Sequence, residues 1–347
     1  MKTKILIFVI LIFLSEILYS QSYPQTLTMP MVSPKAQVMQ RIGLTDIVID
    51  YHRPGVKGRL IWGGLVPYGI VWRAGANENT TISFSDDVKI NGQFLPAGNY
   101  GLHIIPNTDE WTIIFSKVYT AWGSFFYDEK DDALRIIVKP TESQFVERLC
   151  FRFDNLTDST VNISLNWENL KIQFSAEVNV FESVIKSFRK ELVSILGFYW
   201  YCFYEAANYC YHNNVNLTEA LEWVEQSIKR EKNFLNLTLK AQLMQKLNEQ
   251  ANVAAIMDEA LEIATESELN QYGEQLLSED NVDKAIEIFK LNTKRNPNSW
   301  VAFYNLGEAF IIKGDKNIAG EYLQKALSNA PANEKEKIKT TLQSIKQ

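Results

Sequence analysis

The chain has 347 residues, 46% of them hydrophobic and 22% charged, with a formal net charge of −6 at pH 7. That composition buries real cores, and the length allows two or three domains. The negative balance, with no Lys/Arg-rich run, argues against a nucleic-acid partner, and three cysteines are too few for a disulfide framework.

The first residues, MKTKILIFVILIFLSEILYSQS, carry two lysines, an apolar run from Ile5 to Leu14 and a small Ser20 before Gln21. This is the pattern of a secretory signal peptide, assigned to residues 1–20 and removed on export. The run falls short of the roughly 20 residues that span a bilayer, Glu16 interrupts it, and no Cys follows to carry a lipid. The expected address is periplasmic or extracellular, with no membrane span after signal removal. Residues 21–32 are polar and proline-containing and read as an extended strap.

Residues 33–180 read as an all-β sandwich or barrel. Expected strands cover 47–51, 81–84, 88–90, 99–105, 111–115, 134–138, 149–153, 161–167 and 170–180. Asn91-Gly92 is a strong hairpin signal, and Pro96-Ala97-Gly98-Asn99 is a turn. Short strands separated by frequent turn residues define this class. Ile163, Leu165 and Trp167 alternate with Ser164 and Asn166, which gives one buried face and one wet face.

From Phe181 the pattern becomes helical, so the whole is an α+β multidomain chain ending in an all-α, TPR-like solenoid over 181–347. The last unit places Phe303, Leu306, Gly307, Phe310, Ala319, Leu323, Ala326 and Pro331 at the eight positions of a tetratricopeptide signature. The unit before it matches with Leu269, Tyr272, Gly273, Leu276, Ala285, Phe289 and Pro297, and Asn292 stands where a small residue belongs. Ala241, Met257 and Ala260, then Ala220, Val224 and Ser227, mark two looser units. Packing accounts for all of these residues. Recognition in such arrays belongs to the concave face, for which Asn305 is a candidate. Residues 335–347 read as a capping helix with Ile338, Leu342 and Ile345 at helical spacing. Cys202 and Cys210 share one helix about 12 Å apart at 1.5 Å rise, too far for a bridge.

The β region resembles the DUF2911 family. The resemblance rests on Ser33-Pro34-Lys35-Ala36, on Tyr51 to Arg59 (YHRPGVKGR), Trp62-Gly63, Val66-Pro67-Tyr68-Gly69 and Trp72 to Glu78 (WRAGANE). It continues through Pro96 to Tyr100, Ile105-Pro106, Trp111 to Phe115, Trp122-Gly123 and Trp167-Glu168, covering roughly 30–180. It implies an exported β domain of Bacteroidetes-type bacteria, in some members followed by helical repeats, and it implies no reaction. The family pattern favours a small polar residue where this chain has His52, so the resemblance gives that histidine no catalytic role.

Arg53, Arg59 and Arg73 have two readings. They form a fork for a carboxylate or phosphate, or each pairs with an acid such as Glu78, Asp128 or Asp131 and locks a loop. Trp62, Trp72, Trp122 and Tyr127 are either aromatic platforms for a glycan-like ligand or core. The candidate ligand-binding set is Tyr51, Arg53, Arg59, Trp72, Arg73, Asn77, Glu78 and Trp122, with Glu78 and Asp131 as weak catalytic candidates. His52, His103 and His212 show no metal-ligand spacing, and no phosphate-cradling loop or G-x-S-x-G elbow occurs, so neither metal nor cofactor is expected. The leading expectation is a binding and scaffolding protein of the envelope, with a protein partner on the repeats and a small polar or anionic ligand in the β domain. The alternative is a hydrolase or lyase acting on a carbohydrate or another polar envelope molecule.

Overall fold

The computed structural model describes residues 29–345, and the segment read as a signal peptide and most of that read as a strap lie outside them. The chain forms two compact units that meet in sequence between Val184 and Ile185.

The first unit holds ten strands in two antiparallel sheets. One sheet has the order β1 (Lys35–Ile42), β2 (Thr45–His52), β3 (Thr81–Phe84), β6 (Gly98–Ile105), β7 (Trp111–Ser116) and β8 (Asp132–Val138). The other runs β5 (Gln93–Leu95), β4 (Val88–Ile90), β10 (Thr160–Val178) and β9 (Thr141–Asp154). Both sheets contribute to one core, with Ile47, Ile49, Leu102, Ile104 and Phe115 from the first and Phe151, Ile163, Leu165 and Phe174 from the second. Phe115 meets Phe174 edge-on at 5.7 Å, and Tyr51 meets Phe151 at 4.9 Å. The β4–β5 hairpin turns on Asn91 and Gly92, both at positive φ, as its two-residue loop requires.

The segment between β2 and β3 is a clasp. It bridges β9 at Gly55, where the Val56 N–H donates to Glu147 O and the Leu149 N–H to Pro54 O. It then bridges β6 at Trp72, which exchanges both backbone hydrogen bonds with Ile104 at 2.8 Å, taking the place beside β6 that the short β3 leaves open. Trp62 and Trp72 insert among Trp111 and Trp167, with ring centroids 4.5 to 5.9 Å apart. Aromatic pairs in this range add to their area burial, so the clasp binds the two sheets through their largest side chains.

Two expectations are corrected here. The expected strands 161–167 and 170–180 are one strand, β10, bent at a bulge around Glu168, whose φ is +55°. The sequence reading also began strand structure only after Asp46, whereas Lys35–Ile42 forms β1. It is an edge strand in which Lys35, Gln37, Gln40 and Arg41 interrupt the apolar residues and only Ile42 is buried, so no apolar run marks it.

Ten α-helices follow among the described residues. After α1 (Val180–Glu191), helices pair in sequence: α2 (Trp200–Asn213) with α3 (Leu217–Arg230), and α4 (Phe234–Lys246) with α5 (Val253–Ile263). Then α6 (Glu266–Ser278) pairs with α7 (Val282–Arg295), and α8 (Trp300–Lys313) with α9 (Lys316–Asn329). Small residues allow the contact inside each pair. A Cβ on Gly273 would come within 2.3 Å of the Phe289 ring, and one on Gly307 within 2.8 Å of Leu323. Asn292 fills its small-residue position differently. It is fully buried and donates to Asn270 Oδ1 at 2.8 Å and to Glu266 O at 3.0 Å, while accepting from Asn296 at 2.7 Å. The last helix, α10 (Lys335–Ser344), buries Ile338 against Leu323, Ala326 and Ala330.

Candidate functional site

On the six-stranded sheet, Ile47, Ile49, Leu102, Ile104, Ile113 and Phe115 face the core, so strand alternation turns Asp50, His52, Gly101, His103 and Ser116 outward. An antiparallel sheet normally leaves such a face to water, yet His103, Ile114 and Ser116 are buried. Residues 117–131 cover them. The Lys117 N–H donates to Asp131 O at 2.8 Å, which closes the loop at its base. Inside it, Ser124 Oγ lies 2.9 Å from His103 Nδ1, and the Tyr127 ring sits 5.3 Å from the imidazole. Gly123, at φ +62°, brings the loop against Arg73, whose Nη1 would lie 3.0 Å from a Cβ there. Gly101 permits the same closeness below, since a Cβ there would meet Val118 O at 2.7 Å, Asn79 Nδ2 at 2.9 Å and His103 Nε2 at 3.3 Å.

Burial sets the charge states under this loop. It pushes His103 down to about 4, against the opposing pull of Asp132, so the imidazole is neutral near pH 7. Tyr127 is pushed up to about 12, first by burial and then by its hydrogen bond to Asp132. Its Oη donates to Asp132 Oδ2 at 2.8 Å, and Arg135, which sequence reasoning did not single out, binds both and also meets Glu129 at 3.2 Å. Several polar atoms here lack partners: both carboxamide atoms of Asn79, Arg73 Nε and Asp132 Oδ1. Burial alone lowers the Arg73 pKa.

Beside the covered zone lies an open cleft of about 540 Å³. Lys35, Asp50, Tyr51, His52, Glu78, Asn79 and Thr81 line it on the sheet side, with Tyr119 and Trp122 on the loop side. Glu78 Oε2 is 3.2 Å from His52 Nε2, and Asp50 accepts from Gln37 at 3.0 Å and pairs with Lys35 at 3.6 Å.

Of the residues singled out from sequence, this cleft gathers Tyr51, Glu78 and Trp122. Tyr51 is mostly core, with Oη accepting from the Phe151 N–H. The arginines do not converge, and among the described residues neither Arg53 nor Arg59 pairs with an acid. Arg53 Nε donates to Leu149 O at 2.9 Å, and Arg59 donates to Val56 O and Gly55 O at 3.1 and 2.6 Å. These guanidiniums fasten the clasp to backbone carbonyls. Trp72 donates to Gly75 O, and Asn77, at φ +56°, donates to Ser33 O. Asp131 contributes its backbone to the loop closure and is not among the residues lining the cleft. Sequence reasoning passed over Asn79 and treated His52 and His103 as unrelated. They approach one another only through strand register, which no local pattern displays.

The helical unit presents a second candidate. Two hollows of 290 and 370 Å³ share Tyr211, Gln242, Tyr272 and Gln275, and so form one groove. The first helices of three successive pairs contribute Tyr204, Asn208 and Tyr211 on α2, Thr238, Gln242 and Gln245 on α4, and Gln271, Tyr272 and Gln275 on α6, while Met257 and Leu261 on α5 and Lys284, Glu287 and Ile288 on α7 also line the second hollow. Lys246 caps the Tyr211 ring at 4.2 Å and donates to its carbonyl. Asn305 lies outside this groove and donates to Glu274 at 3.1 Å. No helix among the described residues is long and apolar enough to cross a membrane.

The chain therefore joins a two-sheet β domain to TPR-like helical repeats. The model of the family described as "Protein of unknown function (DUF2911)" matches residues 33–176, which hold this β domain. No curated protein matches the chain. Among solved structures, it is similar to YrrB, described as a TPR protein with an unusual peptide-binding site, at 23% identity over 44% of this chain and 80% of that one, TM-score 0.27. MamA from Desulfovibrio magneticus RS-1 matches at 18% identity over 42% and 82%, TM-score 0.28. The C-terminal part of a TPR repeat-containing protein from Cytophaga hutchinsonii matches at 17% over 44% and 60%, TM-score 0.30.

Proposed function

We propose that the helical unit recognises an extended peptide segment of a partner protein, and that the protein serves as an exported binding and scaffolding component. The observation that carries this reading is the chemistry of the groove. The side-chain carboxamides of Asn208, Gln242 and Gln271 have no hydrogen-bond partner among the described residues, yet they stand in one lining on three successive helix pairs. A carboxamide presents donors and an acceptor together, which matches the alternating N–H and C=O of an extended chain. Tyr204, Tyr211 and Tyr272 supply apolar faces between them, and such rigid aromatics contribute contact area at low entropic cost. Charges lie mainly toward the second hollow, at Glu279, Lys284 and Glu287. The export half of the proposal rests on the pattern of residues 1–20.

The hydrolase or lyase alternative draws less support. Glu78 pairs with His52, Asp131 lies off the cleft, and none of Arg53, Arg59 and Arg73 lines it to hold a substrate.

Panning a displayed library of unstructured peptides against the mature full chain tests the recognition reading. Enriched peptides are expected to lose at least tenfold in affinity for the Gln242→Ala/Gln271→Ala double variant. No enrichment, or enriched peptides indifferent to that change, would overturn it.

A further inference from the structure

The cleft beside the loop in the β domain has a chemistry of its own. Its loop wall carries Trp122, 54% exposed, and Tyr119, 40% exposed, both large aromatic side chains left open to solvent. Its opposite wall is polar, with Asp50, Glu78 and Thr81. At its floor lies Asn79, only 7% exposed, with both carboxamide atoms unpartnered. A buried polar group without a partner is costly and rare in native proteins, and here it belongs to a residue that lines an open cleft.

The contents exclude several ligand classes. An anion would meet the carboxylates of Asp50 and Glu78, while Arg53 and Arg59 are turned away onto backbone carbonyls. A cation would compete with Lys35 and His52, which already stand 3.6 and 3.2 Å from those carboxylates. An apolar ligand would desolvate Asn79, Thr81 and two carboxylates without pairing them. What remains is a neutral molecule with hydroxyls on its edges and an apolar face of C–H groups.

We propose that this cleft is a binding site for a neutral saccharide. A pyranose ring lays its C–H face on Trp122, with Tyr119 beside it, and its hydroxyls donate to the Asp50 and Glu78 carboxylates. One further hydroxyl reaches Asn79, whose carboxamide turns from Gly101 toward the cleft and gains both a donor and an acceptor partner. Lys35 and His52 hold the carboxylates in place. The volume of about 540 Å³ accommodates a ligand of two or three rings, within the usual range for small-molecule sites.

The test is a glycan array carrying neutral and acidic oligosaccharides, probed with the labelled mature full chain and two variants, with immobilised choline as a cationic control. Trp122→Ala removes an exposed ring and leaves the core intact. Asn79→Leu removes the unpaired carboxamide at similar volume, and its thermal midpoint is expected to equal or exceed that of the wild type. The expected result is retention of at least one neutral glycan, weakened tenfold or more in both variants. Retention of no glycan, of acidic glycans or choline alone, or of glycans equally well by Trp122→Ala would each overturn the proposal. The peptide groove lies in the other unit, so either reading fails without the other.

Discussion

The His103 imidazole is 2% exposed and neutral, beneath a loop that supplies Ser124 at 2.9 Å and Tyr127 at 5.3 Å. Its folded pKa of about 4 lies below the ordinary value of 6.5. The unfolded chain therefore takes up a proton at higher pH than the fold does, and acidification favours unfolding. Stability from the neutral ring is fully present above pH 6.5 and is lost as pH falls toward 4, by about 3 kcal/mol in all. Denaturant titrations at pH 7, 5.5 and 4.5 should show the wild type losing about 2 kcal/mol more than His103→Gln, the share of the loss that falls above pH 4.5. Equal losses would mean that the ring is not held neutral. Gly101 makes a second prediction on the same face. A methyl there meets Val118 O at 2.7 Å, a backbone atom, so Gly101→Ala should cost about 1–3 kcal/mol by overpacking. Urea midpoints measure it.

Asn292 shows where repeat logic and structure part at the level of the helix pair. A tetratricopeptide signature favours a small residue at this position, which by itself suggests that Asn292→Ala is harmless. In the α6–α7 pair, however, Asn292 holds Asn270 Oδ1 and the Glu266 carbonyl, and the change leaves the buried Asn270 unpaired. The expected loss is about 1–3 kcal/mol, with partial recovery in the Asn270→Ala/Asn292→Ala double variant, as a chemical-denaturation cycle would read out. Elements of this kind were legible wherever local chemistry decides them. Asn91-Gly92 announced its hairpin, and Gly273, Gly307, Ala319 and Ala326 announced the helix pairs. Lys35–Ile42 was not legible, because polar residues at four of its eight positions break up the apolar ones and only Ile42 is buried. The site was legible only by residue type. Glu78 and Trp122 line the open cleft, but Arg53 and Arg59 spend their donors on carbonyls supplied by the fold. His52, Asn79 and His103 come onto one face through the β2–β3–β6 pairing, which sequence spacing does not contain.

At the scale of the molecule, the cores decide how the chain unfolds. The β core draws all its buried residues from Ile42 to Val178, and the helical clusters begin at Ile185. No buried residue of the β core belongs to a helical cluster among the described residues. Each unit thus has the apolar surface to fold on its own, and chains built this way depart from a single two-state transition. Calorimetry of the chain should resolve two transitions, each answering to its own substitution. Gly101→Ala should lower one. Gly273→Ala should lower the other, because a Cβ placed 2.3 Å from the Phe289 ring outweighs the roughly 1 kcal/mol that alanine gains over glycine in a helix. The acid sensitivity assigned to His103 should appear only in the transition that Gly101→Ala moves. If one transition shifted with both substitutions, the units would unfold as one body despite their separate cores. A ligand in the β cleft would then also raise the melting of the repeats, by mass action on the shared transition. With two independent transitions, a bound saccharide raises one and a bound peptide raises the other, so the same thermogram assigns each ligand to its unit.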